Sequence, residues 1–162
     1  MDVTVRDATL EDAAEVRAVA AEAWRDTYAG FLRPETIEAF IERSYSMERI
    51  ERRIANDAFV VAVDGTGRIV AFADGRPDEA HFDLLAIYAR PAERGRGAGT
   101  ALLAVIRARA GSQPVTADVL VGNRKGEAFY EARGFEPRET LEVQLFDEVA
   151  VLRRWWLAPS PS

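Results

Sequence analysis

The densest run of chemistry-bearing residues is Arg94-Gly95-Arg96-Gly97-Ala98-Gly99-Thr100, with an apolar stretch before it and a helical pattern after it. Glycines let a backbone approach a ligand closely, and a helix start offers unpaired N–H groups at the positive end of its dipole. Phosphate is the natural ligand of such a loop, and Arg94 and Arg96 add charge-assisted donors. A tight strand-to-helix turn with solvated arginines accounts for the same residues equally well. Spacing disfavours two nucleotide loops. No Lys-Ser/Thr pair follows the glycines as a Walker A loop requires. A dinucleotide fingerprint needs G-x-G-x-x-G, whereas Gly95, Gly97 and Gly99 alternate, and the acidic Asp118 that follows lies inside a strand pattern rather than past its end. A nicotinamide-dependent oxidoreductase is thus disfavoured.

Around this loop the pattern changes period several times. Residues 3–6 alternate as a short strand, and Thr9 with Asp12 forms an approximate capping box for a helix reaching Tyr28, where Gly30 breaks it. Pro34 opens a second helix with Ile37, Phe40, Ile41 and Tyr45 on one face, and Ser46 caps a third with Met47, Ile50 and Ile54. Residues 59–63 and 68–74 read as a hairpin around the turn 64–67. After a polar loop at 76–79 comes a strand over 81–89, ended by Pro91. The glycine loop opens a helix with Leu102, Leu103 and Ile106 that stops before Gly111. Residues 115–121 form a strand, 123–133 a helix closed by Gly134, and 141–146 with 149–156 a hairpin around Asp147-Glu148, before a tail at 159–162 expected to fray. The order predicts a mixed α/β sheet with helices on its faces.

Composition narrows the classes further. The 162 residues suit a single domain, 1–162, and 48% hydrophobic with 30% charged residues is ordinary for a soluble globular chain. No apolar run is long enough to span a membrane, and the first residues lack a signal sequence's basic start and apolar core. Zero cysteines exclude thiol nucleophiles and thiolate metal sites. His81 is the single histidine, so no metal is expected and a Ser-His-Asp hydrolase would run through it alone. The net charge of −6 argues against nucleic acid as partner. A cytoplasmic protein is expected. All of the 21 basic residues except Lys125 are arginine, which a GC-rich genome explains without reference to function.

Two segments together resemble the GNAT superfamily of N-acyltransferases. The stretch from Asp83 to Gly99 is similar to its acyl-CoA signature, an Arg or Gln, two spacers, Gly, one spacer, then Gly or Ala, matched by Arg94, Gly97 and Gly99. The stretch from Asn123 to Phe135 resembles a second segment, with Asn123, the Phe129-Tyr130 pair and Gly134-Phe135 in the family's places. The resemblance is specific over residues 59–135 and looser elsewhere. It implies a GNAT-type mixed, mostly antiparallel sheet with splayed central parallel strands and helices on both faces. It also implies transfer of acetyl from acetyl-CoA, as cosubstrate, to a primary amine of a small molecule or peptide, by direct attack in a ternary complex. A non-catalytic acyl-CoA sensor of the same fold is the alternative.

On that resemblance, pyrophosphate sits on the amides of Arg94, Gly95, Arg96, Gly97, Ala98, Gly99 and Thr100. Pantetheine lies along the strand ending at Ala89, and the amide of Ile87 or Tyr88 polarises the thioester carbonyl. Asp83, at a frequent acidic position, is the candidate base acting through water, while His81 reads as a loop-edge side chain. Tyr130 matches the usual general acid for the thiolate. A phenol near pKa 10 is no stronger an acid than a thiol of about 8.5, so positioning must help it. Asn123 either touches the cofactor or simply caps its helix. The first helices draw attention to Trp24 and Tyr28, with Asp26 and Phe31, as acceptor-binding residues; an ordinary core face with one solvated charge explains the same spacing. Of Trp155 and Trp156, on opposite faces of one strand, one packs inward and the other marks a homodimer contact or a pocket wall.

Overall fold

The computed structural model describes residues 2–159. The chain runs β1 (Thr4–Asp7), a 3-10 turn (Leu10–Asp12), α1 (Ala13–Tyr28), α2 (Pro34–Ser44), α3 (Met47–Asn56), β2 (Ala58–Val63), β3 (Ile69–Pro77), β4 (Phe82–Ala89), a 3-10 turn (Pro91–Glu93), α4 (Ala98–Ala110), β5 (Val115–Leu120), α5 (Arg124–Ala132), β6 (Glu136–Leu145) and β7 (Glu148–Leu157). The tail expected to fray lies, beyond Pro159, outside the described residues. Among the described residues no helix is long and apolar enough to cross a membrane.

Among the described residues seven strands make one sheet in the order β1-β2-β3-β4-β5-β7-β6. Every neighbouring pair is antiparallel except β4 and β5, which run parallel. β2 and β3 are buried on both faces, so they read as nearly continuous apolar runs rather than alternating ones. On one face α4 sets Leu102 and Ile106 against Val60, Val70 and Val115, with Tyr130 and Phe135 from the α5 region beside them. On the other, α1, α2 and α3 bring Val16, Ile37 and Ile50 onto Phe59, Val61 and Phe72. The mixed sheet covered by helices on both faces is the architecture expected from the sequence.

Three boundaries differ from expectation. β3 runs on to Pro77, taking in Arg76 and Pro77 of the expected polar loop, because they pair with Asp83 and Phe82 of β4. β6 starts at Glu136 rather than at residue 141 and pairs Glu136 with Trp156. It is an edge strand carrying Glu136, Arg138, Glu139 and Glu142, so solvent exposure replaces the apolar alternation that marks half-buried strands. The closing turn is Phe146-Asp147 rather than Asp147-Glu148, with Phe146 at φ 54. Two-residue hairpin turns favour positive φ because it matches the strand twist, and Phe carries no signal for it. In β7, Trp155 is buried, while the outer Trp156 ring has Arg138 above it at 4.7 Å and His81 edge-on at 5.2 Å.

Candidate functional site

The sheet opens where its parallel pair ends. β4 and β5 match only at Phe82↔Val115, Asp83↔Thr116 and Leu84↔Ala117, so from Leu85 onward the β5 side of β4 has no partner strand. On the other side β4 stays paired to β3, with one slip: Asp74 faces Ala86 and Gly75 faces Leu84, leaving Leu85 as an extra residue. Beyond this bulge the Arg90 amide donates to Val70 O at 2.9 Å, and Phe72↔Tyr88 continues that register. Antiparallel pairing alternates, so Tyr88 turns its amide to β3, and Ile87 and Ala89 turn theirs into the gap. Of the two amides singled out in the sequence, Ile87 faces the opening and Tyr88 does not.

The gap widens into a cleft of about 900 Å³, the size of a cofactor or ligand site. Gly97 begins α4 with φ +90, a backbone conformation that costs an L side chain about 1–2 kcal/mol. The first bond of the helix is Ala101 N to Gly97 O at 3.0 Å. The amides of Ala98, Gly99 and Thr100 therefore lack helical acceptors and are free for an anion. At Gly99 an added Cβ would meet Phe129 Cε1 at 2.8 Å, so α4 and α5 come together only without a side chain there. The Arg133 guanidinium lies 3.7 Å over the Phe129 ring and donates to Thr100 Oγ1 at 2.7 Å, joining the two helices at the cleft. Asn123 lines the cleft and also caps α5, its Oδ1 accepting from Gly126 N at 3.2 Å; the capping reading holds.

Three phenols line the same cleft. Tyr28 and Tyr88 hydroxyls are 2.9 Å apart. Burial pushes Tyr28 up to about 12 and raises Tyr88 well above an ordinary phenol, so both keep their protons. Tyr130 is raised by burial and then by its neighbours Tyr28 and Asp118. Its ring is wedged edge-on between Phe129 at 5.2 Å and Phe135 at 5.0 Å. Among the described residues no side chain hydrogen-bonds its hydroxyl.

Other sequence candidates lie elsewhere. Asp83 stays at the closed end of the strand pair, accepting from Thr116 Oγ1 at 2.7 Å with His81 Nε2 at 2.8 Å, and does not line the cleft. Asp78, His81 and Asp83 bring donor atoms within 4.8 Å of one another there, a set able to hold a divalent ion. Trp24 is core rather than cleft, stacked on Phe40 at 3.9 Å and tilted against Tyr28 at 4.3 Å. It supports the Tyr28 wall from behind. Arg94 lines the cleft but turns to α1, donating to Asp26 at 2.5 Å and Thr27 Oγ1 at 2.9 Å; Arg96 pairs with the cleft-lining Glu93 at 3.5 Å and does not itself line the cleft. Lys125, Phe129 and Arg133 line the cleft, and sequence reasoning gave them no role of their own. Arg133 directly precedes the capping Gly134, where a basic side chain commonly meets the last helix carbonyls, so its residue type carries no signal of a site.

Comparison with known proteins gives a consistent result. A model of the acetyltransferase (GNAT) family matches residues 16–135. The chain is 26% identical over 148 residues to the spermidine N(1)-acetyltransferase of Thermoplasma acidophilum, covering 86% of this chain and 92% of that protein. It is 28% identical over 141 residues to an uncharacterized N-acetyltransferase of Mycobacterium tuberculosis, covering 84% and 90%. The crystal structure of the PaiA N-acetyltransferase from Thermoplasma acidophilum in complex with coenzyme A shares the fold with a TM-score of 0.81 at 23% identity, over 94% of this chain and 98% of that one.

Proposed function

The chain belongs to the acetyltransferase (GNAT) family and is an acyl-CoA-dependent N-acetyltransferase, and from that premise we propose that a single domain moves acetyl from acetyl-CoA to a primary amine by direct attack in a ternary complex, in the cleft between β4 and β5. The observation that carries this reading is the convergence of a free backbone donor, Ile87 N–H, and a protonated phenol, Tyr130, on one gap beside the free amides of α4. Acetyl-CoA supplies the acetyl group as a thioester. The Ala98, Gly99 and Thr100 amides bind its pyrophosphate, and the unpaired edge of β4 around Ala89 accepts the pantetheine as an added strand would.

Ile87 N–H stabilises the negative charge that develops on the carbonyl oxygen during attack. The Tyr28–Tyr88 pair holds the amine: one hydroxyl proton is engaged between them, and the remaining lone pairs accept from the nitrogen. Neither phenol serves as base, since both hold their protons. Water at the open cleft takes the ammonium proton. Tyr130 donates to sulfur as the C–N bond forms and the C–S bond breaks, and the second proton lost from the nitrogen passes through the cleft water to return Tyr130 to a phenol, leaving an N-acetyl amide and a neutral thiol.

Polyamines, named for the Thermoplasma relative, and peptide amines are both acceptors to test. The decisive measurement is release of coenzyme A thiol from acetyl-CoA across a panel of primary amines. Coenzyme A binding without thiol release for any amine would replace this reading with that of an acyl-CoA sensor.

A further inference from the structure

We infer that the acceptor is a monoamine whose remaining body is apolar, an arylalkyl- or alkylamine, and not a polyamine; the inference rests on the acetyltransferase reading above. Among the described residues three carboxylates line the cleft, and each is already matched to an arginine. Asp118 is held two-pronged by Arg154 at 2.8 and 3.0 Å. Asp26 is held by Arg94 at 2.5 Å, and Glu93 by Arg96 at 3.5 Å.

A second groove of about 490 Å³ adjoins the cleft and shares Ala29 and Phe31 with it. It repeats the pattern: Glu38 takes Arg25 at 2.8 and 2.9 Å, and Glu148 takes Arg33 at 3.5 Å. A polyamine carries two or more further ammonium groups, and beyond the single phenol pair that holds the reacting nitrogen each is best met by an unmatched carboxylate. Among the described residues every carboxylate lining either cavity already has an arginine as counterion, so a further ammonium would share or displace one rather than meet a free anion.

The apolar wall has the opposite character. Phe31, at the boundary of both cavities, is 46% exposed, and Leu85, the bulge residue lining the cleft, is 43% exposed. These are large, half-exposed apolar side chains lining the same cleft as the Tyr28–Tyr88 pair. An apolar body on the amine covers them and removes both surfaces from water, while a polyamine chain leaves a charge among them.

The test uses the full chain, acetyl-CoA, and initial rates of thiol release with 2-phenylethylamine and spermidine at one pH and ionic strength. We expect kcat/KM at least about tenfold higher for 2-phenylethylamine. Phe31→Ala should cut that preference by a similar factor, while the rise in Tm on adding coenzyme A persists as evidence of an intact fold. Arg154→Met, which frees Asp118, should raise kcat/KM for spermidine relative to the parent chain. Equal or faster turnover of spermidine overturns the inference and leaves the acetyltransferase reading in place. So does turnover of neither amine by a chain that binds coenzyme A, or a preference unchanged in Phe31→Ala. No thermal shift with coenzyme A overturns the reading itself.

Discussion

Arg53 Nε donates to Asp74 Oδ2 at 2.7 Å, while Asp74 Oδ1, fully buried on β3, has no hydrogen-bond partner. Asp57, at the end of α3, faces it, and Asp57 Oδ2 is likewise buried and unpartnered. One proton held between these two oxygens satisfies both. Burial, and next the Asp57 carboxylate, push Asp74 up to about 7, against the opposing charge of Arg53. Arg53 in turn stands 4.8 Å over the Tyr45 ring and donates to Ser44 O at 3.0 Å, so one side chain ties α3 to the end of α2 and to the sheet.

This pair makes stability depend on pH in a defined direction. Asp74 holds its proton in the folded chain up to about 7, whereas the unfolded chain releases it near 3.8. Its stabilisation is therefore complete below about pH 4 and is lost as pH rises to about 7, with a slope approaching 1.4 kcal/mol per pH unit. Asp74→Asn supplies a permanent donor to Asp57 and removes the titration. In urea melts between about pH 4.5 and 7.5, the parent should lose stability relative to this variant as pH rises. Parallel profiles would show that no proton is shared.

Coenzyme A binding is read most directly in thermal stability. A ligand bound to the native chain alone raises Tm by mass action, about 2.7 kcal/mol at one hundred times Kd. Gly97→Ala should lower the unliganded Tm by several degrees, because φ +90 is strained for alanine. It should also weaken the coenzyme A shift, because the amides that follow Gly97 lose their alignment. A full shift in the variant would remove the α4 start from the phosphate site.

How much of this was legible in the chain depends on where each signal resides. Gly97 and Gly99 announce themselves because a left-handed turn and a close helix contact exclude side chains. Tyr130 is placed by its segment, Asn123 to Phe135. The gap itself is not written in any residue type, since it arises from a parallel pair that ends after three positions and a one-residue bulge at Leu85. Period-two patterning cannot say which amide of Ile87 and Tyr88 faces it. Asp83 was attractive as an acid on the right strand, but its register opposite Thr116 puts it below the opening. Trp24 and Tyr28 share one helix and similar chemistry, and only packing against Phe40 separates a supporting ring from a cleft wall.

Asp83→Asn should accordingly act on structure rather than on proton transfer. The variant retains an acceptor for Thr116 and weakens the contact with His81, so a loss of about 1 kcal/mol in unfolding free energy is expected. kcat/KM should keep the parent's pH profile, and amines of different pKa should be affected alike. A loss confined to neutral pH and to the more basic amines would return Asp83 to the role of base.

Tyr130→Phe isolates the proposed acid. The ring keeps its place between Phe129 and Phe135, so Tm and the coenzyme A shift should barely change. What disappears is a donor needed only as negative charge builds on sulfur, and the loss should fall on kcat more than on KM. General-acid terms are worth on the order of 10²–10⁴-fold, with water able to replace part of that. An acyl donor with a more acidic thiol should suffer less, because its thiolate leaves unaided. Since burial raises Tyr130 above the ordinary phenol range, the parent should show no alkaline loss from this group up to about pH 10. Wild-type turnover in Tyr130→Phe, or a loss explained wholly by lower stability, would make Tyr130 a packing residue and leave the thiolate to water.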